Sequence, residues 1–169
     1  MQITREWAMP NKNTFSIKPI KSLISRHLTE GIWLDPFSRN SPFKEQCITN
    51  DLDPSFDADY HMESLEFLKQ FKDGSVQGVL FDPPYSPRQI SECYKGVGRV
   101  VHMSDTQSSF YGDRKKEVAR VVQRGGKVIS FGWNSGGIGK SLGFEIVEIL
   151  LVAHGGAHND TICTLEQKV

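Results

Sequence analysis

The sequence predicts an α/β fold whose sheet is mostly parallel, with an antiparallel strand near the C-terminus. Short apolar runs of strand length alternate along the chain with segments of helical periodicity, a pattern typical of parallel sheets. Residues 78–81 are apolar throughout, as expected of a central strand that is buried on both faces. The last two apolar runs, at 146–152 and 161–165, flank a glycine-containing turn, which favours a closing hairpin.

In the first half of the chain, the pattern predicts two helices and two strands. The helical segments carry apolar residues at three- and four-residue spacing, which places them on one face. The strand segments are short apolar runs that end at acidic or turn-forming residues. In chain order, these elements are a helix at 22–28, strands at 31–34 and 46–49, and a helix at 64–71.

The second half of the chain predicts the rest of the sheet. After the central strand at 78–81, residues 86 to about 108 show no period. A helix at 115–122 follows, and two glycines separate it from a strand at 127–131. No repeat or linker-like segment interrupts the chain, so we expect a single domain over residues 1–169.

Composition and charge exclude several classes of protein. No segment approaches the roughly 18 apolar residues of a membrane span, and the N-terminus lacks the apolar run of a signal peptide. The three cysteines are widely spaced and form no zinc or disulfide pattern, so a cytoplasmic location is expected.

Twenty basic and twenty acidic residues cancel, so only local charge bears on a nucleic-acid partner. Acids prevail over residues 51–73 and bases over 88–127, which makes the second segment the better phosphate binder.

The strongest chemical signal is Asp82-Pro83-Pro84-Tyr85, directly after the central strand. Two prolines hold the chain extended at the carboxyl end of the sheet, where open α/β folds bind ligands. The segment presents a carboxylate, a carbonyl group and an aromatic ring. Such a set suits an adenine amino group, because two acceptors stabilise the positive charge that develops on its nitrogen, while the ring stacks on an extruded base. The alternative is a simple turn with a capping Asp82 and a packing Tyr85.

These residues resemble the D-P-P-Y motif of the amino-methyltransferases that act on adenine in DNA. Residues 18–23 (KPIKSL) and 33–37 (WLDPF) are similar to that family's K-P-x-x-L segment and to the start of its D-P-F-x-G-S-G segment. Residues 73–81 also resemble the family's lead-in to the catalytic strand. The resemblance implies a Rossmann-like class I methyltransferase fold and transfer of a methyl group from S-adenosylmethionine to the N6 amino group of adenine. As a small chain without a separate target-recognition domain, the protein is similar to the enzymes of this family that phages and mobile elements encode.

The resemblance also assigns the cofactor site. The methionine portion of S-adenosylmethionine would be contacted by five residues from the matching segments, namely Lys18, Pro19, Asp35, Phe37 and Ser38. The family's glycine-rich turn would follow, but residues 38–41 contain no glycine. Asn40 is the residue expected to adopt the left-handed conformation in its place.

Acidic residues farther along would hold the rest of the cofactor. Asp51 or Asp53 would bind the ribose hydroxyls, as acids do in Rossmann-like sites, or would instead cap a turn. Glu63 and Ser64 lie where the family has an acidic residue near the adenine. Alternatively, Glu63 favours the first turn of the following helix through the helix dipole.

Substrate contact is expected from the aperiodic segment 86–113, since no separate target-recognition domain is expected. Arg88, Lys95 and Arg99 are its candidate nucleic-acid contacts, and a solvated surface loop is the alternative. DNA is the expected partner, which implies association with the nucleoid. A homodimer or a partner subunit would supply missing DNA contacts.

Two further patterns are set aside. Residues 134–141 end in Gly-Lys-Ser like a phosphate-binding loop, but Asn134 stands where the first glycine is required. His154 and His158 enclose two glycines, which favours a hairpin turn over a metal site, so no metal is expected. Trp133 could line the target pocket or belong to the core.

Two alternative functions remain open. The chain could methylate a purine amino group in RNA, or it could be a catalytically silent nucleic-acid-binding subunit that keeps the fold.

Overall fold

A computed structural model describes residues 1–102 and 108–169 of the chain. In this described part, seven strands form one sheet: β1 (Gln2–Trp7), β2 (Trp33–Asp35), β3 (Ile48–Thr49), β4 (Val76–Phe81), β5 (Val122–Gly132), β6 (Phe144–Ala153) and β7 (Thr161–Lys168). The helices of the described residues are α1 (Lys18–His27), α2 (Ser64–Lys69), α3 (Pro87–Gly96) and α4 (Ser108–Val121). Short 3₁₀ turns lie at Thr14–Ser16 and Lys140–Leu142. No helix in the two described ranges is long and apolar enough to cross a membrane.

The sheet has the strand order β1-β6-β7-β5-β4-β2-β3. All neighbouring strands are parallel except β7, which runs antiparallel to both β5 and β6. The predicted α/β fold, with a mostly parallel sheet and an antiparallel strand near the C-terminus, is therefore confirmed. The carboxyl ends of β2, β3, β4 and β5 meet at one edge, and the residues that follow these strands are brought together there.

Apolar side chains cover both faces of the sheet. On one face, α1 packs Ile20, Leu23 and Ile24 against the sheet, and all three are fully buried. On the other face, α2 and α4 contribute Phe67 and Val118, which are also fully buried. Each such side chain contributes about 1.5–3 kcal/mol through burial. The central strands therefore form a rigid base for the groups at their carboxyl ends.

Gly78 in β4 permits a close approach of neighbouring groups within this core. A Cβ atom built on Gly78 would lie 2.4 Å from the ring of Trp33 and 2.6 Å from the Lys127 carbonyl oxygen. Any larger side chain would push Trp33 or the β5 backbone away. The glycine therefore allows β2, β4 and β5 to pack in the register that aligns their ends.

The segment predicted to be aperiodic is largely helical, so that expectation was wrong for its described residues. Helix α3 begins at Pro87 after an N-cap, the hydroxyl oxygen of Ser86, which accepts a hydrogen bond from the Gln89 N–H at 3.3 Å. Ile90 and Tyr94, four residues apart, form the buried face of α3. The helical periodicity of this segment was hard to see in the sequence, because only two buried positions define it. Residues 103–107 of the predicted contact loop lie outside the described residues.

Two other elements differ from the sequence prediction. Strand β1 was missed because it is an edge strand, and its residues are mostly exposed and lack a sustained apolar run. Helix α4 begins seven residues earlier than the predicted start at 115. Its additional turns bury Phe110 and Arg114, and a buried arginine does not stand out in an apolar pattern.

Candidate active site

An open cavity of about 780 Å³ lies at the carboxyl edge of the sheet. This volume falls in the range of small-molecule and cofactor sites. Its wall includes the whole predicted tetrapeptide 82–85 and most of the acids predicted for the cofactor. The parallel strands thus place the two sets of predicted residues around one space.

Three hydrogen bonds fix the conformation of the tetrapeptide. The Tyr85 hydroxyl donates to Asp82 Oδ1 at 2.6 Å, and the Tyr85 N–H donates to Gln89 Oε1 at 2.5 Å. The Tyr111 hydroxyl donates to the Pro84 carbonyl oxygen at 2.6 Å. None of the described residues donates a hydrogen bond to the Pro83 carbonyl. The Pro83 carbonyl can therefore accept a hydrogen bond from a ligand.

Asp82 has an environment suited to an acceptor near neutral pH. Burial raises the pKa of this carboxyl group to about 6, against an ordinary value of 3.8. Hydrogen bonds from Tyr85 and Thr14, and the charge of Arg39, oppose that rise in pKa. Asp82 is therefore largely ionised at pH 7 but remains able to take up a proton.

Two aromatic side chains line one side of the cavity, next to the tetrapeptide. The rings of Tyr85 and Trp133 meet edge to face, with 5.7 Å between centroids and 76° between planes. Trp133 is 42% exposed and lies in the cavity wall, so it is a pocket residue rather than a core residue. A planar ligand could stack here. We call this side of the cavity the target end, after the role predicted from the sequence for Tyr85.

The opposite side of the cavity is acidic and is formed by the turns after β2 and β3. The cavity wall here includes five of the predicted cofactor residues, Phe37, Asp51, Asp53, Glu63 and Ser64. Asp51 is nearly buried, and its carboxylate accepts hydrogen bonds from the Arg39 N–H at 2.8 Å and the Asp53 N–H at 2.9 Å. We call this side the cofactor end.

The other predicted cofactor residues lie outside this wall. Asp35 is fully buried behind it, while Lys18 is exposed and Pro19 is buried in the first turn of α1. Ser38 lines a separate cavity of about 10 Å³, which has room for about one water. The structure thus divides the predicted methionine-contacting set, and only Phe37 of that set reaches the large cavity.

Two buried polar atoms behind the cofactor end lack a partner among the described residues. These atoms are Asp35 Oδ2 and Ser38 Oγ. Burial, together with the nearby charge of Asp82, raises the pKa of Asp35 well above its ordinary value. Unsatisfied buried oxygens are costly, and a donor group on a ligand or a bridging water would relieve that cost.

Glu63 joins three helices beside the cofactor end. Its carboxylate accepts hydrogen bonds from the Tyr94 hydroxyl at 2.8 Å, from Arg99 at 2.9 Å and from Arg114 at 3.4 Å. Arg114 is buried and also donates to the Ser64 hydroxyl at 2.6 Å. This cluster fixes α3 and α4 against the start of α2.

The predicted nucleic-acid contacts lie on or just after α3 and have different surroundings. Arg99 is engaged by Glu63, and the exposed Arg88 pairs with Glu92 at 2.9 Å. Lys95 is exposed. None of the three lines the large cavity.

The sequence prediction missed two segments that form the rest of the target end. Lys12 and Thr14 come from the segment between β1 and α1, and His158 and Asn159 come from the β6–β7 hairpin. His154 joins these segments through hydrogen bonds of 2.8 Å to the Ala8 carbonyl oxygen and 2.8 Å to the Thr161 hydroxyl. The available signal was that the hairpin follows a strand whose carboxyl end lies at the same edge as Asp82. Among the described residues, no group of histidine, cysteine or acidic side chains could hold a metal.

The turn after β2 differs from the expectation for Asn40. The left-handed residue is Arg39, with φ of 43°, and it is the only residue other than glycine with positive φ in the described chain. The N–H of this strained residue makes the bond to Asp51 described above. Arg39 therefore occupies the conformation that a glycine would normally supply.

Comparison with solved structures identifies the fold. A 1,6-didemethyltoxoflavin-N1-methyltransferase from Burkholderia thailandensis, solved with 1,6-didemethyltoxoflavin and S-adenosylhomocysteine, matches 90% of this chain and 77% of its own at 12% identity, with a TM-score of 0.61. TrmN from Thermus thermophilus matches 90% of this chain at 14% identity and a TM-score of 0.60, and this chain spans 49% of it. The N-methyltransferase NodS from Bradyrhizobium japonicum WM9 matches 94% of this chain and 99% of its own at 10% identity, with a TM-score of 0.59.

No protein-family model and no curated protein matches the sequence. The structural matches and the strand order together show a Rossmann-like class I methyltransferase fold, which confirms the predicted fold class.

Proposed function

We propose that the chain is a methyltransferase that uses S-adenosylmethionine to methylate the N6 amino group of adenine in DNA. The observation that carries this proposal is the placement of Asp82 and the Pro83 carbonyl in the wall of one cavity, between an aromatic target end and an acidic cofactor end. Two acceptors beside a stacking surface match the requirements of an exocyclic amino group.

The cofactor end has groups that fit S-adenosylmethionine. Asp51 and Asp53 supply carboxylates for ribose hydroxyls, and Phe37 supplies an apolar contact. Asp35 Oδ2 and Ser38 Oγ lie behind the cavity wall and have no hydrogen-bond partner among the described residues, so a bridging water would link them to the ammonium group of the cofactor. Bound there, S-adenosylmethionine supplies an electrophilic methyl group on its sulfonium sulfur.

The chain's own residues would position the amino group and stabilise its charge. Asp82 and the Pro83 carbonyl accept the two N–H bonds, which directs the nitrogen lone pair toward the methyl carbon. Formation of the N–C bond would break the S–C bond of the cofactor, and the electron pair of that bond would stay on sulfur. The methylated nitrogen then releases one proton, and ionised Asp82, with a pKa of about 6, is placed to accept it.

At the target end, Tyr85 and Trp133 would hold the extruded adenine. Lys12, His158 and Asn159 supply a cation and hydrogen-bonding groups at the same end, so we add them to the proposed substrate contacts. Arg88 and Lys95 remain proposed phosphate contacts, because both are exposed on α3.

The dimer or partner subunit expected from the sequence stays a prediction, which sedimentation of the protein with and without DNA would test.

Transfer of a radiolabelled methyl group to matched DNA and RNA oligonucleotides tests this function. Label in DNA supports the proposal, whereas label only in RNA would assign the chain to the RNA alternative. Cofactor binding without transfer to either polymer would favour a small-molecule substrate. Absence of cofactor binding in calorimetry would favour the silent binding subunit.

A further inference from the structure

Arg39 combines a strained backbone with a side chain at the cofactor end. Its φ of 43° lies in the left-handed region, where a residue with a Cβ atom costs free energy that glycine does not. Backbone strain of this kind persists where the surrounding structure enforces it, often at ligand sites. The strain indicates that the side chain of Arg39 has a function at a backbone position that glycine would occupy without strain.

Arg39 lines the large cavity near acidic residues at both of its ends. The carbon of its guanidinium group lies 5.6 Å from the centroid of the Phe56 ring, and the residue lines both the large cavity and the small one beside Ser38. Burial raises the pKa values of Asp51 and Asp82, one at each end of the cavity, and the charge of Arg39 opposes that rise at both residues. Arg39 thus lies in the cavity wall within electrostatic reach of both Asp51 and Asp82.

The charge balance of the cofactor end calls for a cation at this place. Asp51, Asp53 and Asp82 all present carboxyl groups to the cavity. Glu63 already pairs with two arginines. In the described ranges, the guanidinium group of Arg39 makes no ion pair within 4.0 Å. Arg39 offers a positive charge beside these acids, so an anionic group that entered the cofactor end would be attracted to it.

We propose that Arg39 binds the carboxylate of S-adenosylmethionine through its guanidinium group. The inference rests on the proposed function, because that function brings an amino-acid carboxylate between Asp51 and Asp82. A guanidinium group can bind a carboxylate through two parallel hydrogen bonds, which fixes the orientation of the methionine portion. The turn thereby uses one charged side chain where a glycine-rich turn would offer only backbone N–H groups.

Calorimetry with two ligands tests this assignment. The ligands are S-adenosylhomocysteine and its decarboxylated analogue, which differ only in the carboxylate. We expect Arg39→Gly to weaken binding of S-adenosylhomocysteine by roughly 10–100-fold, because a charge-assisted contact is lost, and to change binding of the analogue by less than about threefold. Arg39→Lys should recover part of the loss. Arg124→Ala, which removes an exposed arginine at the amino end of β5, should change neither affinity.

The variant should fold, because glycine suits the backbone at this position, and its melting temperature should equal or exceed that of the unaltered protein. Equal losses for both ligands would overturn the assignment by showing a structural role for Arg39. Unchanged affinity for both ligands would overturn it as well, as would weakened DNA binding with cofactor affinity intact. Failure of the unaltered protein to bind S-adenosylhomocysteine would instead overturn the proposed function itself.

Discussion

At the scale of single residues, Asp82 depends on Tyr85 for its charge. Burial alone pushes the pKa of Asp82 upward, and the hydrogen bond from the Tyr85 hydroxyl is the first of the interactions that hold it down to about 6. Tyr85 therefore has two roles in the proposed site: its ring contributes to the stacking surface, and its hydroxyl keeps the neighbouring carboxylate ionised.

The pH dependence of Tyr85→Phe separates these two roles. The reaction requires ionised Asp82, so kcat/KM of the unaltered protein should fall as the pH drops through about 6. Removal of the hydroxyl raises the pKa of Asp82 further, so the acid limb of the variant should lie at higher pH. A pH–rate profile of kcat/KM for both proteins measures the shift. An acid limb that stays in place, or moves to lower pH, would contradict this account of Asp82.

Trp133 tests the assignment of the target end. Trp133→Ala removes one of the two rings proposed to hold the target adenine, and base–aromatic stacking is worth about 1–3 kcal/mol. We therefore expect KM for DNA to rise by roughly 5–150-fold, while the dissociation constant of S-adenosylhomocysteine stays unchanged. Steady-state kinetics and calorimetry give the two values. Loss of cofactor affinity with an unchanged KM for DNA would assign Trp133 to the opposite end of the cavity.

At the scale of secondary structure, the Glu63 cluster joins α2, α3 and α4. Arg114 is its buried member, and its guanidinium group also lies 3.5 Å from the centroid of the Phe110 ring. Arg114→Ala leaves the buried hydroxyl of Ser64 without its donor and removes this stacking. The free energy of unfolding should therefore fall by about 3 kcal/mol.

Denaturant unfolding measures this loss, with Arg88→Ala as the matched control. Arg88 is exposed and pairs only along its own helix, so its removal should change the free energy of unfolding by less than about 0.5 kcal/mol. Similar values for the two variants would show that the cluster contributes little to the stability of the helices.

Two glycines in different elements give opposite expectations. At Gly78 in β4, an added methyl group meets the Trp33 ring and the Lys127 carbonyl, so Gly78→Ala should destabilise the protein by about 2 kcal/mol or more. At Gly96, at the end of α3, an added methyl group meets nothing within 4 Å. Gly96→Ala should therefore stabilise the helix by up to about 1 kcal/mol. Thermal unfolding distinguishes the two, and a tolerated Gly78→Ala would refute the packing described for β2 and β4.

The same elements explain which features the sequence could predict. The central strand β4 was predictable, because burial on both faces leaves an uninterrupted apolar run. Helix α3 and the early turns of α4 were not, because their inward faces carry Tyr94 and Arg114, whose burial depends on Glu63 many residues away. Edge strand β1 has little buried surface and gives no strong pattern.

At the scale of the whole molecule, the strand order decides which residues share the cavity. Asp82 and the acids after β3 could be predicted as neighbours, because the carboxyl ends of parallel strands meet at one edge. The target end could not, since it depends on β1 pairing with β6 and on His154 joining the segment before α1 to the last hairpin. Such contacts span about 145 residues of sequence, and no local pattern encodes them.

The order of the sheet also explains why Arg39 was overlooked. The missing glycines after β2 led to the expectation that Asn40 adopts the left-handed conformation in this turn. Only the position of the turn between Asp51 and Asp82 shows that a charged side chain could replace backbone contacts there.

The most direct test of the central claim is nucleoside mass spectrometry of unmethylated DNA and matched RNA after incubation with the protein and S-adenosylmethionine. Asp82→Asn protein serves as the control, because it keeps the shape of the side chain and loses the charge. The account predicts N6-methyladenine in DNA with the unaltered protein and a loss of at least about 100-fold with the variant. Methylation of another base or another position, or equal product from the variant, would contradict it.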